Sequence, residues 1–254
     1  MYSVTQRIKS IKQPRGGYIN PKEFTEITID DGSELNPNEN IHASLVGMAV
    51  DYLTRLMTGT PANVAFFISL LGSNLVNERE NAEKLISNIK GLDDQSIINA
   101  CKIVGYDVCV RAGIIGYKPV KEIHPDAETI ENVRIMVNRC LPFWKEYGPI
   151  VADSFTFEGG YTEIVSSGDG DYLTEDTLWD LKVSKESPKS QYTLQLLMYY
   201  IMGCHSIHKE AFQNIKRLGI FNPRLNKVYL LNIGNIRDEI IQEVSQKVIG
   251  YWDW

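Results

Sequence analysis

Gly168-Asp169-Gly170-Asp171-Tyr172-Leu173-Thr174-Glu175-Asp176-Thr177-Leu178-Trp179-Asp180-Leu181-Lys182-Val183 reads as two short β-strands joined by the polar loop Thr174 to Thr177. Side chains alternate across a strand, so Leu178, Asp180, Lys182 and Ser184 share one face of the second strand while Trp179, Leu181 and Val183 take the other. A strand that buries Trp, Leu and Val needs nothing from its opposite face for stability. Here that face carries an acid and a lysine, and a second acid, Asp171, stands on the preceding strand. These are the charges a metal-dependent phosphodiesterase uses. A cross-strand salt bridge worth about 0.2–1 kcal/mol accounts for the hairpin taken alone equally well.

Around the hairpin the pattern alternates between helix and strand. Gly148-Pro149 closes a helical stretch, and Ile150 to Phe157 and Tyr161 to Val165 read as strands leading into it as an antiparallel meander. Ser187-Pro188-Lys189-Ser190 then opens a helix to about Met202, with the inward stripe Leu194, Leu197, Met198 and Ile201 and with Gln195 and Tyr199 four apart on its flank. The turn Phe221-Asn222-Pro223-Arg224 precedes a strand over Lys227 to Ile233. A closing helix is expected over Ile236 to Ile249, capped near Asn235.

Upstream, Ile41 to Gly59 has the spacing of a helix, with Asp51 beside Arg55 at i+4 as a surface ion pair. Residues 62 to 110 read as helical with breaks at Leu71-Gly72-Ser73-Asn74 and Lys90 to Asp94, and Pro125-Asp126 opens a helix that Pro142 ends or kinks. Residues 1–40, rich in Gly, Pro and Asn, form an extension around one β-prone segment, Phe24 to Ile29. Its Arg7, Lys9, Lys12 and Arg15 read as a solvated arm, with a phosphate backbone as the other possible partner. The chain divides on this reading into an N-terminal extension (1–40) and one domain (41–254), mainly helical to 147 and carrying the catalytic core from 148.

The composition sets limits. With 254 residues, 43% hydrophobic and 23% charged, the chain can bury a proper core. A net charge of −6 argues against a protein that coats nucleic acid non-specifically, though not against an enzyme with a local basic groove. Cys101, Cys109, Cys140 and Cys204 have neither C-x-x-C pairing nor His partners at ligand spacing, so buried free thiols are expected rather than zinc or an iron–sulfur cluster. No apolar run is long enough to span a bilayer and the N-terminus has no signal-peptide core, so the expected location is the cytoplasm, with no membrane partner.

Gly170-Asp171-Tyr172, then Leu178 to Val183, then Gln195-Leu196-Leu197-Met198-Tyr199 resemble, in that order, the motifs of the PD-(D/E)xK nuclease superfamily, in particular its RecB-like branch of lambda-exonuclease and CRISPR-adaptation type. The resemblance covers roughly residues 148 to 233. It implies an α/β (α+β) fold with a restriction-endonuclease-like core, a mixed sheet flanked by helices, to which the sequence adds a helical N-terminal part. It implies Mg²⁺ or Mn²⁺ as cofactor, with Asp171 and Asp180 as ligands, Lys182 as the catalytic lysine, and Gln195 and Tyr199 contacting the site or the nucleic acid backbone. The main-chain carbonyl of Val183 or of Leu181 would add a ligand.

The branch usually carries a helical Gly-x-x-x-His whose imidazole reaches the metal. Gly47-Met48-Ala49-Val50-Asp51 keeps the spacing but has Asp in place of His, leaving Asp51, Asp169, Glu163, His42 and Glu78 as candidates for that role. The cysteine set of the iron–sulfur members is absent. Lys185, Lys189, Lys216, Arg217 and Arg224 are candidates for a DNA-tracking groove. The function so implied is phosphodiester hydrolysis, of DNA and exonuclease-like. The alternative is a nuclease fold with an idle site, binding DNA or a protein partner.

Overall fold

The hairpin forms at the centre of a six-stranded sheet. In the computed structural model, which describes residues 1–252, the strands are β1 (Tyr2–Ser3), β2 (Thr25–Thr28), β3 (Ile150–Thr156), β4 (Val165–Ser167), β5 (Asp169–Thr174), β6 (Thr177–Leu181), β7 (Arg217–Asn222) and β8 (Lys227–Asn232). The sheet runs β2-β8-β7-β6-β5-β3; β6 and β7 are parallel and every other neighbouring pair is antiparallel. The parallel pair follows from the connection. A tight turn joins β5 to β6, whereas β6 reaches β7 through the long Ser190–His205 helix. The fold is thus α+β, with an open mixed sheet and flanking helices.

Contacts divide the chain into two compact units: Met1–Ile29 together with the chain from Trp144 on, and Asp30–Phe143. The first contains both sheets. Its core holds Leu178, Leu194, Leu197, Met198, Ile201 and Leu218, all fully buried, so the apolar stripe read from the helix faces inward. Strand β6 is buried on both faces, Asp180 included. Trp179 packs edge-on to Tyr147 (ring centroids 5.3 Å apart) and Trp144 (6.1 Å). Room for the indole comes from Gly219 on β7, where an added Cβ would lie 2.3 Å from the ring.

Three expectations for this unit change. Residues 1–10 are not a solvated arm: β1 pairs with β4 in a two-stranded parallel sheet, the Val4–Ser10 helix buries Val4 and Ile8, and the Arg7 guanidinium donates to the carbonyls of Lys247 and Val248. Tyr161 to Ile164 is a turn rather than a strand, because the Thr162 hydroxyl takes the N–H groups of Ile164 and Val165 in place of a ladder. The closing helix starts later than Asn235, at Asp238, and widens into a π-helical turn over Val244–Ile249.

The second unit is helical: Ala43–Met57, Ala62–Ala65, Phe67–Leu75, Arg79–Ser87, Asp94–Ile103, Asp107–Arg111 and most of Ala127–Tyr147, which continues through Pro142. Asp93, at the Lys90 to Asp94 break, caps the Asp94–Ile103 helix, accepting the Ser96 N–H at 3.0 Å. Gly72 does not break a helix. It lies inside Phe67–Leu75, where an added Cβ would lie 2.0 Å from the Tyr106 carbonyl oxygen, so its role is close packing. Among the described residues no helix is long and apolar enough to cross a membrane.

Candidate functional site

The β5–β6 register pairs Leu173 with Leu178 and Tyr172 with Trp179. One step further along the same register, Asp171 comes opposite Asp180. There the strand's backbone turns to a side chain: the Leu181 N–H donates to Asp171 Oδ2 at 2.9 Å. Gly170 beside it is required by packing, since the Phe155 ring from β3 occupies the place of a side chain, 2.3 Å from where a Cβ would sit.

Asp180 is 1% exposed. Its Oδ1 forms an ion pair with Lys182 Nζ at 2.8 Å, and Oδ2, fully shielded, has no hydrogen-bond partner. A carboxylate in such a place has lost its hydration and kept one cation as compensation. Lys182 also faces Gln195 Oε1 at 3.4 Å and the Tyr192 ring at 5.2 Å from the centroid. Burial is the largest influence on its ammonium and works against the charge. Asp180 and Asp171 together outweigh burial, so the pKa lies above the ordinary lysine value.

Gln195 bridges Lys182 to Tyr199: its amide nitrogen donates to the phenol oxygen at 3.0 Å. Tyr199 is buried and stacked on Phe157, with centroids 4.9 Å apart. Burial first, then the negative charges of Asp171, Asp180 and Asp169, push its pKa up, so the phenol keeps its proton. Asp171, Asp180, Lys182, Gln195 and Tyr199 therefore come together, from β5, β6 and the Ser190–His205 helix. Tyr192 belongs to the same group and was not singled out from the sequence. Its signal was the helical i+3 spacing to Gln195. Val183 follows β6 by two residues, just past the Lys182 N–H, which donates to the Phe221 carbonyl at 2.9 Å.

The other candidates are placed differently. Asp51 lies in the second unit, where Arg55 Nε and Nη2 bind its two carboxylate oxygens, each at 3.0 Å. His42 caps the Ala43–Met57 helix, and Glu78 accepts the Tyr106 and Tyr117 hydroxyls; both belong to that unit too. Glu163 is exposed on the Tyr161–Ile164 turn.

The basic residues separate by strand direction. Because β6 and β7 are parallel, Arg217 stands opposite Thr177, at the far end of β6 from Lys182, where it forms a forked ion pair with Asp176. Lys216 adjoins it. Register thus places Arg217 at the other end of β6 from Lys182. Arg224, in the β7–β8 turn, lies at the same end of the sheet as Lys182, and exposed Lys185 follows β6 at that end. Lys189 is ion-paired with Glu186.

Among the described residues no group of three or more His, Cys, Asp or Glu side chains is arranged to hold a metal ion. The four cysteines are free thiols. The donor set that does converge, two carboxylates of which one has an oxygen without a hydrogen bond, suits a hard cation that keeps several of its waters. Neither protein-family models, nor curated proteins, nor solved structures give a match to this chain.

Proposed function

We propose that this protein is a metal-dependent nuclease that hydrolyses phosphodiester bonds, of DNA and in an exonuclease-like manner. The observation that carries the reading is the Asp180 carboxylate, buried with one oxygen lacking a hydrogen bond and ion-paired with Lys182, which directly follows the strand. A purely structural salt bridge gains nothing from a second carboxylate and an unsatisfied oxygen in the core, which together cost stability.

In this reading Asp171, Asp180 and the Val183 carbonyl would hold Mg²⁺ or Mn²⁺, which when bound supplies charge neutralisation and an acidified water. Lys182 keeps its proton at neutral pH. It therefore acts as a cation and donor, orienting the attacking water or stabilising charge on the phosphorane-like state, and not as a base. Gln195 fixes the ammonium from the helix side, and the protonated Tyr199 hydroxyl is left to donate, because Gln195 already serves its oxygen. Arg224 and Lys185, at the same end of the sheet, would meet the phosphate backbone.

The test is cleavage of linear, circular and single-stranded DNA, and of RNA, with Mg²⁺ by the parent, Asp180→Ala and Lys182→Ala. Loss of cutting in both variants with an unchanged circular dichroism spectrum is expected. Equal cutting by parent and variants sinks the assignment. The second reading, an idle module binding DNA or a protein, is favoured by the ion pairs that neutralise Lys189 and Arg217. Calorimetric titration separates the two, since an idle module binds no Mn²⁺ at millimolar metal.

A further inference from the structure

We propose that Lys9, Lys12 and Arg15, on the N-terminal helix and the strap that follows it, form a contact surface for the phosphate backbone of a nucleic acid. The inference rests on the nucleic-acid part of the reading above and concerns binding, not cleavage.

The first 22 residues carry Arg7, Lys9, Lys12, Arg15 and Lys22 and no Asp or Glu. They hold +5, which leaves −11 on the rest of a chain of net −6. In an unfolded tail such a run is ordinary solvated charge. Here it is built into the first unit: the Val4–Ser10 helix packs along the Ser190–His205 helix, and Arg7 is tied to the carbonyls of Lys247 and Val248. Lys9, Lys12 and Arg15 are exposed, and they make no ion pair with any described residue.

The segment follows the helix that carries Gln195 and Tyr199 back to its start. Val4 and Tyr199 close on Gly168 together, 2.8 and 3.2 Å from where a Cβ would stand. At the other end the strap passes Ser190 at Gly17, whose φ is +92° and whose added Cβ would lie 2.5 Å from the serine Cβ. The Ile19 carbonyl then accepts the Thr193 hydroxyl at 2.8 Å. Gln195 stands about 7.5 Å beyond Ser190 along the helix axis, roughly two phosphate steps of a duplex strand. The free cations are therefore held on fixed structure beside the helix that contacts Lys182.

Charge, and not apolar surface, is what the segment offers a partner. Val4, Ile8 and Ile19 are buried, Ile11 and Tyr18 pack against the core, and from Val4 to Ile19 no large apolar side chain is left exposed. A helix that lies on a membrane keeps an apolar face for the lipid, so an anionic membrane is the poorer fit. A row of unpaired cations suits a polyanion, whose binding releases condensed counterions in proportion to the phosphates neutralised.

The experiment is fluorescence anisotropy of labelled single-stranded and duplex DNA with the full chain in EDTA, over about 50–200 mM salt. Compared are the parent, the strap variant Lys9→Gln/Lys12→Gln/Arg15→Gln, and a control of equal charge loss in the other unit, Lys90→Gln/Lys118→Gln/Lys121→Gln. All six side chains are exposed, so the folds stay intact, which circular dichroism checks. Expected for the strap variant are a loss of about tenfold or more in affinity and a salt slope shallower by about 2–3, with the control within about twofold of the parent. Parent-like affinity and slope in the strap variant overturn the inference, as does an equal loss in the control or a parent that binds no DNA. A strap variant that keeps its DNA affinity but loses binding to phosphatidylserine vesicles overturns it in favour of a membrane. Cleavage is scored separately with Mg²⁺: a parent that binds through the strap without cutting removes the hydrolytic reading alone, and a parent that cuts beside a strap variant of equal affinity removes this inference alone.

Discussion

Lys182 Nζ lies 2.8 Å from Asp180 Oδ1 while the other oxygen of that carboxylate, sealed in the sheet, has no hydrogen-bond partner. Two residues apart, Asp180 on β6 and Lys182 just past its end, the pair is local in sequence, yet its energetics depend on the whole sheet that buries Asp180.

Removing one partner therefore costs more than removing both. Lys182→Met should destabilise the protein by about 3 kcal/mol, because a fully buried carboxylate loses its counter-charge. The double variant Asp180→Asn/Lys182→Met should recover most of that loss. Urea unfolding of the four proteins in a double-mutant cycle measures it; additive effects would mean that the two charges do not interact.

Lys182 also sets a limit at alkaline pH. Its folded-state pKa is raised above 10.5, burial being outweighed by Asp180 and Asp171. A raised lysine stabilises fully below the unfolded value and loses that contribution as pH rises through the folded one. Stability should fall more steeply above pH 10.5 in the parent than in Asp180→Asn/Lys182→Met, as thermal melts would show. An NMR titration of the Nζ group should place its midpoint above 10.5.

Gly170→Ala should destabilise by about 1–3 kcal/mol through overpacking, since the new methyl meets the Phe155 ring. A second change, Phe155→Leu, should restore part of the loss by giving the methyl room. Denaturant midpoints at unchanged m-value decide this, and a Gly170→Ala protein as stable as the parent would contradict the packing described.

His205 predicts a mild acid sensitivity. Burial holds its imidazole below 6.5, and its ring stacks on Tyr251 at 3.9 Å between centroids. A depressed histidine contributes stability above the unfolded value and loses it as pH falls through the folded one. The melting temperature should drop between pH 6.5 and 5 more in the parent than in His205→Phe. Taking that difference isolates His205 from Asp107, whose carboxyl burial pushes up and whose contribution has the opposite sign.

The hairpin was legible because its information is local: alternation, a polar turn and Gly-framed acids fix both the strands and the face that carries Asp180 and Lys182. The Ser190–His205 helix was equally plain from its stripe. Strand β7 was not, because Leu218-Gly219-Ile220-Phe221 has no alternation and is buried on both sides between β6 and β8, where any apolar run would serve. Without β7 the direction of Arg217 could not be read, and its charge looked close to the site. The first ten residues looked like an arm because Val4 and Ile8 are too sparse to announce a core that only the distant Val248 region completes. The Asp51–Arg55 pair, by contrast, was visible at i+4 and is present.

One unit is discontinuous in sequence and the other is not. During synthesis, residues 30–143 emerge as a complete helical set and can fold at once, whereas Met1–Ile29 leave the ribosome long before the strands and helices they pack with. The first unit is therefore expected to close last, only after the segment carrying Lys247 and Val248 has emerged to receive Arg7. Limited proteolysis of ribosome-stalled chains checks this timing: chains stalled soon after Tyr147 has emerged should show a protected segment over residues 30–143 and a cleavable N-terminus, and early protection of residues 1–29 would exclude it.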